Sequence, residues 1–135
     1  MSPRRVSFPI STMPKFITVA NKTRPVGNPP RIKYCATFLE QLRGFTFRPH
    51  LTREEGLLLV GTRDSRLDSS IHMLFVAFDL AVIWINSEFK VVDKVIAKTW
   101  RPAYFSKQAA RYVLEIHPDR WGDYEIGDRV EFKDA

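Results

Sequence analysis

One cysteine, Cys35, is all the thiol this 135-residue chain contains, which excludes an internal disulfide and any thiolate-rich metal site. Acidic residues are missing from the whole of Met1 to Leu39; the first is Glu40. No apolar run reaches the roughly 20 residues of a membrane-spanning helix, and the densest one, Ile71 to Ile85, carries His72 and Asp79. Arg4 and Arg5 precede a segment broken by Pro9 and Pro14, which is a poor secretory signal, so a soluble cytoplasmic protein is expected. The familiar catalytic signatures are also missing: no Gly-x-Ser-x-Gly, no phosphate loop, no His-Glu-x-x-His and no Cys-x-x-Cys. Gly56 and Gly61 flank Leu57 to Val60, a buried strand with no phosphate-binding lysine behind it. His50, His72 and His117 lie far apart without ligand spacing, so neither a metal nor a cofactor is expected.

What is present is enough apolar material for a core. Hydrophobic residues make up 44% of the chain and aromatics 13%, which excludes wholesale disorder. The net charge is +6, yet it is unevenly placed. The seven basic residues before Glu40 carry all of it, and the remainder of the chain is nearly neutral. Six of the nine prolines fall in the same early stretch. Proline fixes φ and removes a backbone donor, so residues 1–15 are read as an extended basic, proline-rich arm and residues 16–135 as a single domain.

Past the arm, short β-type runs alternate with turn signals. Strands are predicted at Phe16 to Ala20, Arg31 to Ala36, Leu57 to Gly61, Ile71 to Phe75, Leu80 to Ile85, Lys90 to Ala97, Arg111 to Ile116 and Arg129 to Phe132. Asn86-Ser87-Glu88 and Gly127-Asp128 read as turns. One helix, about residues 37–43, is predicted from a capping box at Thr37 and Glu40, a Phe38/Leu42 face and a stop at Gly44. A further brief helical turn is possible at Ser106 to Ala110. The fold class is therefore mainly β, an antiparallel sandwich or barrel-like domain with one short helix. The poor alternation of Ile71 to Ile85 implies central strands covered on both faces.

The candidate site residues each carry two readings. His72 is either a core or rim histidine bonded to backbone, or a ligand donor or general base at a sheet end. Asp79 either holds a bend or serves as a buried carboxylate with a shifted pKa. Trp100-Arg101-Pro102 with Tyr104-Phe105 forms an aromatic, basic loop suited to stacking on a planar or sugar-like ligand, or else a lid over a small core. Cys35 reads as a small buried hydrophobe.

The run Ala36 to Arg48, with its Leu42-Arg43-Gly44-Phe45-Thr46-Phe47-Arg48 core, resembles the Leu-Arg-Gly-Leu-Met-Phe-Arg segment of domain-of-unknown-function family 192. Glu55 to Leu59, Ser70-Ile71-His72-Met73-Leu74-Phe75, Trp100-Arg101, Ala110 to Ile116 and Ile126 to Val130 are similar to further family segments in the same order. The resemblance covers about Phe16 to Lys133 and implies a compact, mostly β single domain, with no reaction attached to it; many relatives are exported. Where family members have Phe-Pro-Ile-Asp after the Ile-His-Met run, Asp79 stands at the proline position and Ala81 at that of the carboxylate. The missing catalytic constellation favours a non-enzymatic β-domain that binds a small ligand or a protein partner, with Arg43, Arg48, His72, Trp100 and Arg101 as ligand-binding residues. The alternative is a hydrolase- or lyase-type enzyme using His72 and Asp79 as catalytic residues. A further alternative is polyanion binding by the arm; nucleic acid is not expected on the nearly neutral body.

Overall fold

A computed structural model describes residues 15–36, 45, 48–73, 76–99, 101 and 103–135. Seven strands form one sheet: β1 (Lys15–Asn21), β2 (Arg31–Cys35), β3 (Glu55–Ser65), β4 (Leu80–Ile85), β5 (Val91–Ala97), β6 (Ala110–Ile116) and β7 (Val130–Asp134). Their order is β5-β4-β6-β3-β2-β1-β7. The mainly β expectation holds, and seven of the eight predicted strands are present. The sheet is mixed, because β2 pairs with β3 in parallel while the other neighbours are antiparallel. A parallel pair needs a long crossover, here residues 36–54. That crossover contains the predicted helix at 37–43, which lies outside the described residues, as does residues 1–14 of the expected arm. The turn proposed at Ser106 to Ala110 contains no helix, and Ala110 already begins β6.

The expected sandwich or barrel gives way to a single open sheet. An isolated bridge between Lys90 and Arg129 joins the starts of the two edge strands, supported by hydrogen bonds from Val91 N to Asp128 O (2.9 Å) and Val130 N to Phe89 O (2.9 Å). The sheet thus curls until its edges touch at one end without closing. The remaining edge of β5 is guarded by Lys94, whose Nζ donates to Trp121 O (3.0 Å), pairs with Glu125 (2.9 Å) and sits over the Trp121 ring. An inward-turned lysine of this kind blunts edge-to-edge pairing.

Strand alternation sorts two cores onto the two faces. Ile17, Val19, Ile32, Leu58, Ile83, Leu114 and Ile116 share one cluster; Leu57, Leu80, Val82, Trp84 and Val113 belong to the other. All six residues of β4 are buried, because this strand is central and covered on both sides, as the lack of alternation implied. The predicted strand Ile71 to Phe75 is different. Its described part contributes one bridge residue, Ile71 opposite Tyr104, and crosses over the second face as a roof. Its apolar composition reports burial against the sheet rather than pairing within it.

Candidate functional site

The second face is where the molecule holds space. The pocket-facing positions of β3 after Leu57 run Leu59, Gly61; glycine leaves the last without a side chain. A Cβ at Gly61 would lie 2.8 Å from the Arg111 carbonyl, so the close approach of β6 requires glycine there. Just beyond, the β3/β6 register shifts between Val60 and Ser65, which bends the strand away. The segment Arg66 to Met73 spans the opening and is tied down at several points. Trp84 Nε1 donates to Ser69 O (2.8 Å), Arg66 Nε to Ser106 O (2.8 Å), Met73 N to Arg101 O (3.1 Å), and Ile71 and Tyr104 exchange backbone bonds of 3.0 and 2.8 Å. Beneath this roof lies a cavity of about 300 Å³, at the small end of ligand pockets.

Its inner walls are apolar: Phe45, Leu59, Ile71, Val76, Leu80 and Val113. One charged residue stands among them. Glu115 opposes Leu57 on β3 and Val82 on β4, both of the second-face core, so the pleat turns its side chain inward. It is 7% exposed and lines the cavity, and its carboxyl has no hydrogen-bond or ion-pair partner among the described residues. Burial disfavours the anion and pushes the carboxyl up to about 7. Arg63, Asp68, His72 and Arg111 supply the polar rim; Arg63 pairs with Asp68 (3.5 Å), and Arg111 Nε donates to Gly61 O (2.9 Å).

The residues predicted from sequence are distributed unevenly around this site. His72 is exposed at the rim of the cavity, alternating with buried Ile71 and Met73. Asp79 is half-buried at the entry to β4, where it accepts from Thr99 N (3.0 Å) and pairs with Lys98 (3.4 Å). No hydrogen bond joins His72 to Asp79. Arg48 pairs with Glu55 (2.9 Å) and lies over Phe45, one residue removed from the cavity. Arg101 is exposed and packs on Tyr104. Arg43 and Trp100 lie outside the described residues. His117 caps the 3-10 turn Pro118–Asp123, its Nδ1 accepting from Asp119 N (3.0 Å), and Cys35 is buried. No metal-ligating cluster occurs among the described residues, and none of the described helical segments is long and apolar enough to cross a membrane.

Sequence reasoning passed over Glu115. The strand Arg111 to Ile116 was legible, but the burial of the acid within it was not. The available signal was that Val113 and Leu114, which alternate to opposite faces, are both large and apolar, which marks a strand covered on both sides.

These features define a mainly β domain built on one open, mixed, seven-stranded sheet with a roofed cavity on one face. The chain belongs to the DUF192 family, described as Uncharacterized ACR, COG1430, whose model matches residues 19–132. The UPF0127 protein of Thermococcus kodakarensis is 35% identical over 116 residues, covering 84% of this chain and 72% of that one. The UPF0127 protein of Pyrococcus horikoshii is 27% identical over 122 residues, covering 84% and 97%. A crystal structure of a protein of unknown function from Novosphingobium aromaticivorans superposes with a TM-score of 0.73 at 23% identity, covering 92% of this chain and 89% of that one. The family is one of uncharacterised function, and the structural likeness shows the fold alone.

Proposed function

We propose that this domain is a non-enzymatic binding module that takes a small, largely apolar molecule into the cavity between the second face of the sheet and the Arg66 to Met73 roof. One observation carries this reading: a buried carboxyl, that of Glu115, lines a roofed apolar cavity without a partner among the described residues. Buried polar groups are ordinarily satisfied, and a structural core gains nothing from an unpaired acid that an aliphatic residue would not supply better. A ligand that completes the hydrogen bonding accounts for both the acid and the space. His72 belongs to this site as a rim residue. We propose further that residues 16–135 act as one unit, with residues 1–15 as an appendage, and that the protein works in the cytoplasm, which fractionation of expressing cells checks.

A screen of small aromatic and aliphatic fragments by thermal shift and protein-observed NMR tests the reading. A ligand of the folded state raises stability by mass action, about 2.7 kcal/mol at a hundredfold excess over Kd. Fragments that raise Tm and shift the amides of Leu59, Ile71 and Val113 are expected, and Leu59→Trp, which fills the cavity, should abolish both effects. Hits that map elsewhere, or that Leu59→Trp leaves untouched, would overturn the proposal.

A further inference from the structure

The chemistry inside the cavity narrows the class of ligand, on the assumption that the cavity is a ligand site as proposed above. The carboxyl of Glu115 sits on β6 between flanking strands that present only hydrocarbon to it, Leu57 from β3 and Val82 from β4. The charged groups that share the cavity are Arg63 of β3, Arg111 of β6, and Asp68 and His72 of the roof. None of them bonds to Glu115. Arg63 is engaged with Asp68 at 3.5 Å and its side chain is 75% exposed, while Arg111 is turned to the Gly61 carbonyl. Among the described residues burial is what acts on the acid, and neither guanidinium contributes. The site therefore contains a desolvated anion position with no counter-charge among the described residues and apolar surface around it. A buried charge is stable when it is paired.

We propose that the cavity takes a compact apolar amine, with its ammonium seated on the Glu115 carboxylate and its hydrocarbon body against Phe45, Leu59 and Val113. The ammonium supplies the missing counter-charge and a charge-assisted hydrogen bond. The apolar walls reward an aliphatic or aromatic body and give nothing to a second polar group, and about 300 Å³ limits the ligand to a small molecule. A carboxylic acid is disfavoured, because it would set two acids face to face. An ammonium also draws the proton off Glu115, so uptake of an amine is coupled to proton release and strengthens as pH rises through about 7.

Benzylamine, benzyl alcohol and benzoate, which share one ring and differ in the head group, serve as probes in calorimetric and NMR titrations of the full chain. At pH 8 benzylamine should bind at least about tenfold more tightly than benzyl alcohol, and benzoate should not bind. Benzylamine should weaken about tenfold between pH 8 and pH 6 as Glu115 takes up its proton. The same pH series with His72→Gln should keep that slope, which assigns it to the acid rather than to the imidazole at the rim. Glu115→Gln is nearly isosteric and removes a buried charge, so its fold is checked only by comparison of amide spectra. It should lose the preference for amine over alcohol and the pH dependence together. Equal binding of amine and alcohol, or an amine preference that survives Glu115→Gln, overturns the amine assignment and leaves the cavity as a ligand site. Failure of all three probes to shift Leu59, Ile71 or Val113 overturns the assignment and the cavity reading with it.

Discussion

At the scale of single residues, Glu115 couples this protein's stability to pH in an unusual direction. Its carboxyl titrates near 7 in the folded chain, against 4.5 for an ordinary glutamate. Below about pH 4.5 both folded and unfolded chains hold the proton. As pH rises toward 7 the unfolded chain releases it first, so stability falls across that window and stays reduced above it, by on the order of 3 kcal/mol. Glu115→Gln should remove this loss. Unfolding free energies from urea titration of the variant should exceed those of the native chain at pH 8 by about 1–3 kcal/mol, and the gap should shrink at pH 4.5. The contrast between the two pH values is diagnostic, since an amide buried without partners carries its own cost at both. Nothing in the residue's neighbours along the chain marks it out; its environment comes from Leu57 and Val82, 58 and 33 positions earlier. His72 and Asp79 show the converse. Both were visible as polar interruptions of an apolar run, but the chain turns one to the rim and the other to the Lys98-Thr99 loop.

At the scale of elements, β3 organises the molecule, since it joins the parallel pair to the antiparallel strands and floors the cavity. Its first interior residue is Gly56, where an added Cβ would meet Glu115 O at 2.7 Å, Ile32 Cδ1 at 2.7 Å and Ile116 Cγ2 at 2.9 Å. One of those atoms is backbone in a central strand, so the sheet itself must shift. Gly56→Ala should therefore destabilise by about 2 kcal/mol, measured by urea unfolding. Gly27→Ala, where nothing lies within 4 Å, should stay within about 0.5 kcal/mol. Strand positions were legible because β-branched and apolar alternation is local. The Asn86 hairpin was legible for the same reason: Asn86 Oδ1 accepts from Glu88 N and Lys90 N, both at 3.0 Å, as its side chain favours in turns. The roof was not, since an apolar segment packed over a sheet and one paired within it have the same composition.

At the scale of the whole molecule, the contact between the sheet's edges is held by one buried acid far from the cavity. Asp128 accepts from Asn21 Nδ2 (2.7 Å) on β1, from Arg24 (2.9 Å) and from Glu125 N (2.9 Å). Its own carbonyl accepts from Val91 N on β5, so this residue links both edges of the curled sheet. Burial alone would raise its pKa, but the bonds from Asn21, the Glu125 amide and Arg24 outweigh it and hold the carboxyl below the usual range. A lowered folded pKa contributes stability that is present above the unfolded value and lost as pH falls through the folded one, the opposite sense to Glu115. Asp128→Ala should cost about 2–3 kcal/mol at pH 7 in urea unfolding, and the penalty should shrink in acid as the native carboxyl protonates.

The sequence by itself determined the mainly β class, most strand positions and the turns, because alternation and turn chemistry are properties of neighbours along the chain. The near-neutral body did not survive folding: Lys15, Lys22, Arg24, Arg31 and Lys33 lie in β1, β2 and the link between them, so most of the early basic charge belongs to the sheet. Only the tertiary structure decided that the strands form one open mixed sheet, that Ile71 to Met73 roof it, and that Glu115 is an acid in an apolar cavity with no partner among the described residues. Those facts depend on which distant strands lie beside one another, and burial is set by what covers a residue rather than by what precedes it.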